Sequence, residues 1–174
     1  HDAVALAKKF RPKVGCNFEI SLWLSSKGVE DVVGMNKGGG VQLNDIRATL
    51  VNAFHSSSIS DGERQVYAGE AGGFVVEFEN GFTVYHAGDT CVFGDMQLIG
   101  EIYKPDLVLL PIGDLFTMGP KEAAVACRLL DARKVIPMHY GTFPPLTGTP
   151  DALREATRGL DVEVITLRPG EQIG

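Results

Sequence analysis

Four side chains that could bind a metal ion stand just past the ends of apolar, strand-like segments. The four placements are His55 after 46–54, Asp89 after 82–86, Asp114 after 107–112 and His139 after 134–138. In α/β sheets the carboxyl ends of strands form the edge where ligands bind, and a short loop restricts the side chain that it carries. Imidazole nitrogen and carboxylate oxygen suit a divalent transition metal. The pattern therefore predicts a His/Asp metal site at one edge of a sheet.

Each of these residues also has an ordinary structural interpretation. A single His at a strand end is commonly held by hydrogen bonds, and Asp114 could simply organise the loop 115–119. His86 lies inside its strand, three residues before Asp89. We expect it to hold the loop or the carboxylate by a hydrogen bond rather than to bind metal. Cys91 could approach the site or pack as a small loop residue. Only the combination of four His and Asp residues at strand ends favours a metal site.

Two further motifs suggest other chemistry and fit it less well. The string HSSS at 55–58 raises a serine nucleophile, but adjacent side chains point in different directions and no G-x-S-x-G string occurs. Three glycines at 38–40 could wrap a phosphate, but no Lys-Ser/Thr pair follows them, as a P-loop requires. We therefore expect the glycines to form a turn, and we do not expect a serine hydrolase.

The elements that must position these residues are a mixture of helices and strands. Helices are predicted over 2–10, 17–26, 95–103, 120–130 and 149–159. The prediction rests on helical spacing of apolar residues, on Asn17 and Asp95 as N-caps and on proline at first helical positions. Apolar runs predict strands over 13–16, 29–33, 41–43, 46–54, 73–79, 82–86, 107–112, 134–138 and 162–167. Asn80-Gly81 predicts a two-residue hairpin turn. Mixed elements of this kind indicate an α/β or α+β layered fold.

Composition limits the class of protein and its partners. The 174 residues fit one domain, with 44% hydrophobic and 22% charged residues. Lys and Arg number 16 against 22 Asp and Glu, a net charge of −6, which argues against non-specific nucleic-acid binding. No apolar run reaches the roughly 18 residues of a membrane helix. The three cysteines form no C-x-x-C pair. We expect a cytoplasmic protein with a small-molecule substrate and neither nucleic acid nor membrane as partner.

Four strings, in this order along the chain, resemble the metallo-β-lactamase superfamily. They are FHSSS at 54–58, YHAGDT at 85–90, PIGD at 111–114 and PMHYGT at 137–142. More narrowly, the chain looks like the small metal-dependent hydrolases that are related to the ascorbate-phosphate lactonases. The fragments GMN at 34–36 and FTMGP at 116–120 match as well, and the resemblance runs from Asp2 to the tail at 168–171.

This resemblance implies an αβ/βα four-layer sandwich with two divalent metal ions at one sheet edge. It implies that His55 binds the first ion, that Asp89 bridges both and that His139 binds the second. We expect His86 and Asp114 to support these ligands without binding metal themselves. Zinc is the expected metal, with Mn, Fe or Ni as alternatives. The family motif H-x-H-x-D-H, which should precede the first helix, does not occur in the sequence. We therefore expect residues 1–174 to form a single domain that is N-terminally incomplete.

The resemblance also implies hydrolysis of an ester, a lactone or a phosphodiester by a metal-activated water, to which Asp89 could contribute. Two alternatives stay open: an inactive or truncated relative with a structural or binding role, and a nucleic-acid-processing member of the same fold. Relatives commonly assemble, so a homo-oligomer is another expectation. We expect the loops 61–64 and 143–149 to border the cleft.

Overall fold

The computed structural model describes residues 2–173, which form five helices and eleven strands. The helices are α1 (Ala3–Phe10), α2 (Phe18–Ser26), α3 (Met96–Tyr103), α4 (Pro120–Leu129) and α5 (Pro150–Ala156). The first six strands are β1 (Val14–Asn17), β2 (Val32–Met35), β3 (Gly40–Leu43), β4 (Ile46–Asn52), β5 (Ser58–Asp61) and β6 (Arg64–Tyr67). The others are β7 (Gly72–Phe78), β8 (Thr83–His86), β9 (Leu107–Pro111), β10 (Lys134–Met138) and β11 (Glu163–Val164).

A mixed sheet in the order β11-β10-β9-β8-β7-β4-β3 carries the candidate site. Strands β8, β9, β10 and β11 are parallel, whereas β7 is antiparallel to both of its neighbours, β8 and β4. Strand β4 therefore runs in the same direction as β8, β9 and β10. The carboxyl ends of these four strands share one edge, as the positions of the His and Asp residues predict.

The sheet lies between two layers of helices. On one face, apolar side chains of β8, β9 and β10 pack with those of α3, α4 and α5 in the main core; its fully buried members include Tyr85, Met96, Leu110, Leu130, Val135 and Leu153. On the other face, the small parallel sheet β1–β2 contacts β3 and β4. Helices α1 and α2 cover that small sheet around buried Ala7, Leu24 and Val29. This is an α/β fold with αβ/βα layers, as expected.

Asn17 connects helix α2 to a distant segment of the chain. Its side-chain oxygen accepts a hydrogen bond from the Ile20 N–H at 3.0 Å, which confirms the predicted N-cap. Its side-chain nitrogen donates to the carbonyl oxygens of Ala68 at 2.6 Å and of Glu70 at 3.1 Å. One side chain thus satisfies a free helix N–H and anchors the segment that leads from β6 to β7.

We expect Asn17→Ala to destabilise the protein by about 2 kcal/mol, since it removes the cap and both bonds to the carbonyl oxygens. Asn17→Ser keeps a capping oxygen but loses the two donated hydrogen bonds, so it should cost about 1 kcal/mol. Urea unfolding followed by circular dichroism measures both changes. If both variants lost the same free energy of unfolding, the side-chain cap of α2 would make no separate contribution to stability.

The predicted two-residue turn at Asn80-Gly81 is wrong. The Phe78 N–H donates to the Phe82 carbonyl oxygen at 2.9 Å, and the Gly81 N–H donates to the Phe78 carbonyl oxygen at 2.9 Å. Gly81 has φ +83°, and Asn80 does not have a positive φ. The loop therefore spans 79–81, a type I turn closed by a left-handed glycine, which is the common three-residue hairpin loop.

The hairpin β5–β6 was not predicted, because its strands carry few apolar residues. Strand β5 ends at Asp61, whose carboxylate lies 2.8 Å from the Lys27 ammonium at the end of α2. Hydrogen bonds from Lys27 and from the Trp23 ring N–H hold the pKa of Asp61 below its usual value.

The predicted cap at Asp95 is present only as a backbone position, because Asp95 precedes α3 but makes no capping hydrogen bond through its side chain. Within residues 2–173, no helix is long and apolar enough to cross a membrane.

Candidate metal centre

Asp89 and His139 meet at the shared edge of β8 and β10. The Asp89 Oδ2 and His139 Nε2 atoms are 3.8 Å apart. Backbone hydrogen bonds continue past the strands, from the Ala87 N–H to the Leu109 carbonyl at 3.1 Å and from the Ile112 N–H to the Met138 carbonyl at 3.0 Å. These bonds keep the strand ends in register, so the two side chains leave a rigid edge.

His139 adopts a backbone conformation that is unusual for a residue with a Cβ. Its φ is +55°, in the left-handed region, where such residues are strained. Its Nδ1 atom is buried and has no hydrogen-bond partner within residues 2–173. A strained backbone and an unpaired ring nitrogen together indicate that this imidazole is placed for a purpose other than stability.

His86 holds the loop that leads to Asp89. Its Nδ1 atom accepts a hydrogen bond from the Gly88 N–H at 3.1 Å. Although the residue is partly exposed, desolvation of its ring lowers the pKa of His86, and the nearby Asp89 carboxylate opposes that shift only in part. The lowered pKa favours the neutral ring at pH 7, and only a neutral ring can accept at Nδ1.

His55 lines the same cavity, which has a volume of about 580 Å³. The loop that carries it is tied to the Asp89 loop by two hydrogen bonds, from the Phe54 N–H to Thr90 Oγ1 at 2.9 Å and from the Cys91 N–H to the Phe54 carbonyl at 3.3 Å. The His55 Nδ1 atom lies 2.9 Å from the Ser56 carbonyl oxygen. Because a carbonyl only accepts, Nδ1 carries the proton and Nε2 keeps a free lone pair.

These residues fit a divalent cation only in part. Asp89 and His139 supply a carboxylate and an imidazole, which suit Zn²⁺ and related ions. Within residues 2–173, however, no three His, Cys, Asp or Glu side chains lie close enough together to hold one ion. His55 could join the pair only if its side chain turned further into the cavity. The three-residue ligand set therefore stays a prediction, whereas the Asp89–His139 pair is present.

Asp114 does not line this cavity. Its Oδ1 atom accepts a hydrogen bond from the Leu115 N–H at 2.9 Å, and its carbonyl oxygen accepts from the Thr117 N–H at 3.3 Å. These bonds organise the loop, which is the ordinary structural interpretation of this residue. In its place, Leu115, Phe116 and Thr117 form part of the cavity wall. The sequence offered no signal for them beyond the matching string at 116–120.

The two loops that we expected at the cleft behave differently. The loop 61–64 does not line the cavity, and Asp61 is paired with Lys27 on α2 instead. From the loop 143–149, Phe143 packs beside the cavity-lining Phe116, with ring centroids 6.2 Å apart. Only the second loop therefore lies next to the candidate site.

Gly113 is a further residue of the site that the sequence did not reveal. A Cβ atom at this position would collide with the His139 carbonyl oxygen and would lie 3.1 Å from His139 Nδ1 and 2.9 Å from Leu146 Cδ2. The absence of a side chain here therefore lets the two strand ends approach each other. The sequence feature that could have indicated this role is a glycine placed directly after the buried strand 107–112.

Comparison with known proteins shows the family to which this fold belongs. Residues 6–140 match the family model described as "Beta-lactamase superfamily domain". The chain therefore belongs to the β-lactamase superfamily.

Within this superfamily the chain is similar to metal-dependent hydrolases. It is 54% identical over 173 residues to a UPF0173 metal-dependent hydrolase of Solibacter usitatus, covering 99% of this chain and 75% of the relative. The structure of Igni18, a metallo hydrolase from the archaeon Ignicoccus hospitalis, has 34% identity and a TM-score of 0.86, covering 99% of this chain and 72% of Igni18. A Thermotoga maritima protein, described as a candidate Zn-dependent hydrolase, has 31% identity and a TM-score of 0.54, covering 71% of this chain and 59% of that protein.

Proposed function

We propose that this chain is a metal-dependent hydrolase whose divalent metal is held at Asp89 and His139. The observation that carries the proposal is the 3.8 Å separation between Asp89 Oδ2 and His139 Nε2 at one end of the four aligned strands. The relatives named as metal-dependent hydrolases support the same activity. His55, in the wall of the same cavity, is the third ligand in this proposal, and its free Nε2 is the donor atom.

The substrate class in this proposal is an ester, a lactone or a phosphodiester. When bound, a divalent metal supplies an activated water and stabilises the negative charge that develops on the attacked group. The chain itself supplies the positions. His86 fixes the Gly88 N–H and with it the backbone in front of Asp89. Gly113 leaves the space that His139 needs, and Asp89, with about half of its side chain exposed, stays open to the cavity.

Zinc is the metal that we propose, and Asp89 and His139 would hold it with His55 as the third ligand. The second ion that the family resemblance implies would need ligands beyond these three residues. A mixed imidazole and carboxylate donor set is the common environment of catalytic zinc. The description of the Thermotoga maritima relative as a candidate Zn-dependent hydrolase supports this choice. Because Mn, Fe and Ni accept the same ligands, metal supply also affects which ion is bound.

We expect a chelator to abolish hydrolysis and added Zn²⁺ or Mn²⁺ to restore it, while Ca²⁺ fails because it prefers sites built from oxygen ligands alone. The bound metal is measured by inductively coupled plasma mass spectrometry. On the same samples, initial rates of hydrolysis are measured with 4-nitrophenyl acetate, a lactone and bis(4-nitrophenyl) phosphate. Hydrolysis that continues at full rate in metal-free protein would overturn the proposed function.

A further inference from the structure

Large hydrophobic side chains surround the cavity at Asp89 and His139, and they are exposed. Phe54, Leu115 and Phe116 line the cavity itself. Their exposed fractions are 54%, 67% and 51%, and Phe143, beside Phe116, is 47% exposed. We call these four residues the apolar rim. Side chains of this size usually lose more of their contact with water, so their concentration around one cavity calls for a physical explanation.

The chain holds part of the rim in place by an unfavourable backbone conformation. Asp114 and Leu115 have φ values of +68° and +46°, and consecutive residues with a Cβ rarely adopt this left-handed region. The Met118 N–H donates to the Thr90 carbonyl oxygen at 3.0 Å, which fixes the far end of the loop to the segment after Asp89. The strained turn presents Leu115 and Phe116 at the cavity instead of burying them in the core.

Aromatic packing fixes the other members of the rim. The rings of Phe116 and Phe143 have centroids 6.2 Å apart, so the two loops support each other. The ring of Phe54, another member of the rim, meets Phe93 edge to face, with centroids 5.2 Å apart. Contacts of this geometry are favourable beyond simple burial. The rim is therefore a preformed surface, which lowers the entropic cost of binding an apolar group.

The cavity thus combines the polar side chains of Asp89 and His139 with the apolar side chains of Leu115 and Phe116 in one lining. A substrate whose reacting group lies at Asp89 and His139 can therefore place its neighbouring atoms against Leu115 and Phe116. We propose that Leu115 and Phe116 select substrates that carry an apolar acyl or aryl group next to the bond that is hydrolysed. This inference rests on the proposed function, because it assigns the substrate class of the same site.

The length of a fatty acyl chain tests this proposal. Butanoate, hexanoate and octanoate are products of acyl hydrolysis, and their affinity for the zinc-loaded chain is measured by calorimetry. A fully buried methylene raises affinity about fourfold, and a half-buried one about twofold. We expect the Kd to fall by about twofold to fourfold per methylene in the wild-type chain. Leu115→Ala and Phe116→Ala should each reduce this dependence by half or more.

Ile102→Ala is the matched control. Ile102 is 66% exposed, nearly the same as Leu115, but it lies on α3 and does not line the cavity. The dependence on chain length should stay unchanged in this variant. Equal affinity for all three acids in the wild-type chain would overturn the proposal. So would an unchanged dependence in both rim variants, or an equal loss in Ile102→Ala.

The same samples separate this inference from the proposed function. Hydrolysis of 4-nitrophenyl acetate and its loss with a chelator report on the metal centre alone. Chain-length dependence without any hydrolysis would contradict the proposed function and leave the apolar selectivity of the rim standing. Metal-dependent hydrolysis with no chain-length dependence would overturn the rim as a specificity element and leave the hydrolase.

Discussion

Asp89→Asn is expected to lower the zinc affinity and kcat/KM by about 100-fold or more, while the protein stays folded. Asn has the size of Asp but no charge, so it loses the electrostatic attraction that a carboxylate exerts on a divalent cation. Replacing a group that merely supports a ligand costs about 10-fold to 100-fold, so a direct ligand should reach at least the upper value. The backbone near Asp89 is held by the Ala87–Leu109 bond, which the substitution does not touch. Zinc titration against a competing chelator measures the affinity.

Asp95→Asn is the control for the loss of one negative charge. Asp95 is exposed, lies six residues further along the chain and makes no side-chain hydrogen bond to α3. Its substitution should leave zinc affinity and hydrolysis within about twofold of wild type. Wild-type zinc binding in Asp89→Asn would remove Asp89 from the ligand set. Parallel losses in both variants would point to the net charge of the protein rather than to a metal ligand.

The positions of Asp89 and His139 could be predicted because a strand fixes its own ends. Asp89 follows the strand-like run 82–86, and His139 follows the run 134–138. The run 107–112 is nearly continuous and apolar, as is typical of a strand buried on both faces, and its strand lies between the other two in the sheet. Because these three strands are parallel, their carboxyl ends lie at one edge without any information about distant contacts. For this reason the sequence pattern predicted an α/β layered fold and the placement of Asp89 and His139 at one sheet edge, whereas the αβ/βα arrangement came from the family resemblance.

Other features depend on contacts that no local pattern encodes. The apolar rim was missed because exposed hydrophobic residues in loops have no periodic spacing that would distinguish Leu115 from a core residue. The hydrogen bond between His55 Nδ1 and the Ser56 carbonyl oxygen, which leaves the Nε2 lone pair free, is likewise not indicated by any pattern in the sequence. The hairpin β5–β6 was missed because its strands are mostly polar and its supporting contacts come from distant residues. Lys27 pairs with Asp61 at the end of β5, and Asn17 donates a hydrogen bond to the Ala68 carbonyl oxygen just after β6.

The Gly113→Ala substitution tests how strand packing controls the site. Gly113 does not have a left-handed φ, so alanine is compatible with its backbone and the effect should come from contact alone. The new methyl group would press on the His139 carbonyl oxygen, on its Nδ1 and on Leu146. Overpacking of this kind costs about 1–3 kcal/mol in stability. Displacement of His139 should also lower zinc affinity about 10-fold or more, as loss of supporting contacts to a metal ligand does.

Gly94→Ala provides the comparison, because no described atom lies within 4 Å of a Cβ at Gly94. This control should retain wild-type stability and zinc affinity, measured by urea unfolding and by chelator competition on the same samples. The two readouts have different meanings in Gly113→Ala. Reduced stability with unchanged zinc affinity would show that His139 is displaced without being a ligand. We expect Gly113→Ala to lose both stability and zinc affinity and Gly94→Ala to lose neither, because close packing at Gly113 positions the His139 imidazole for the metal.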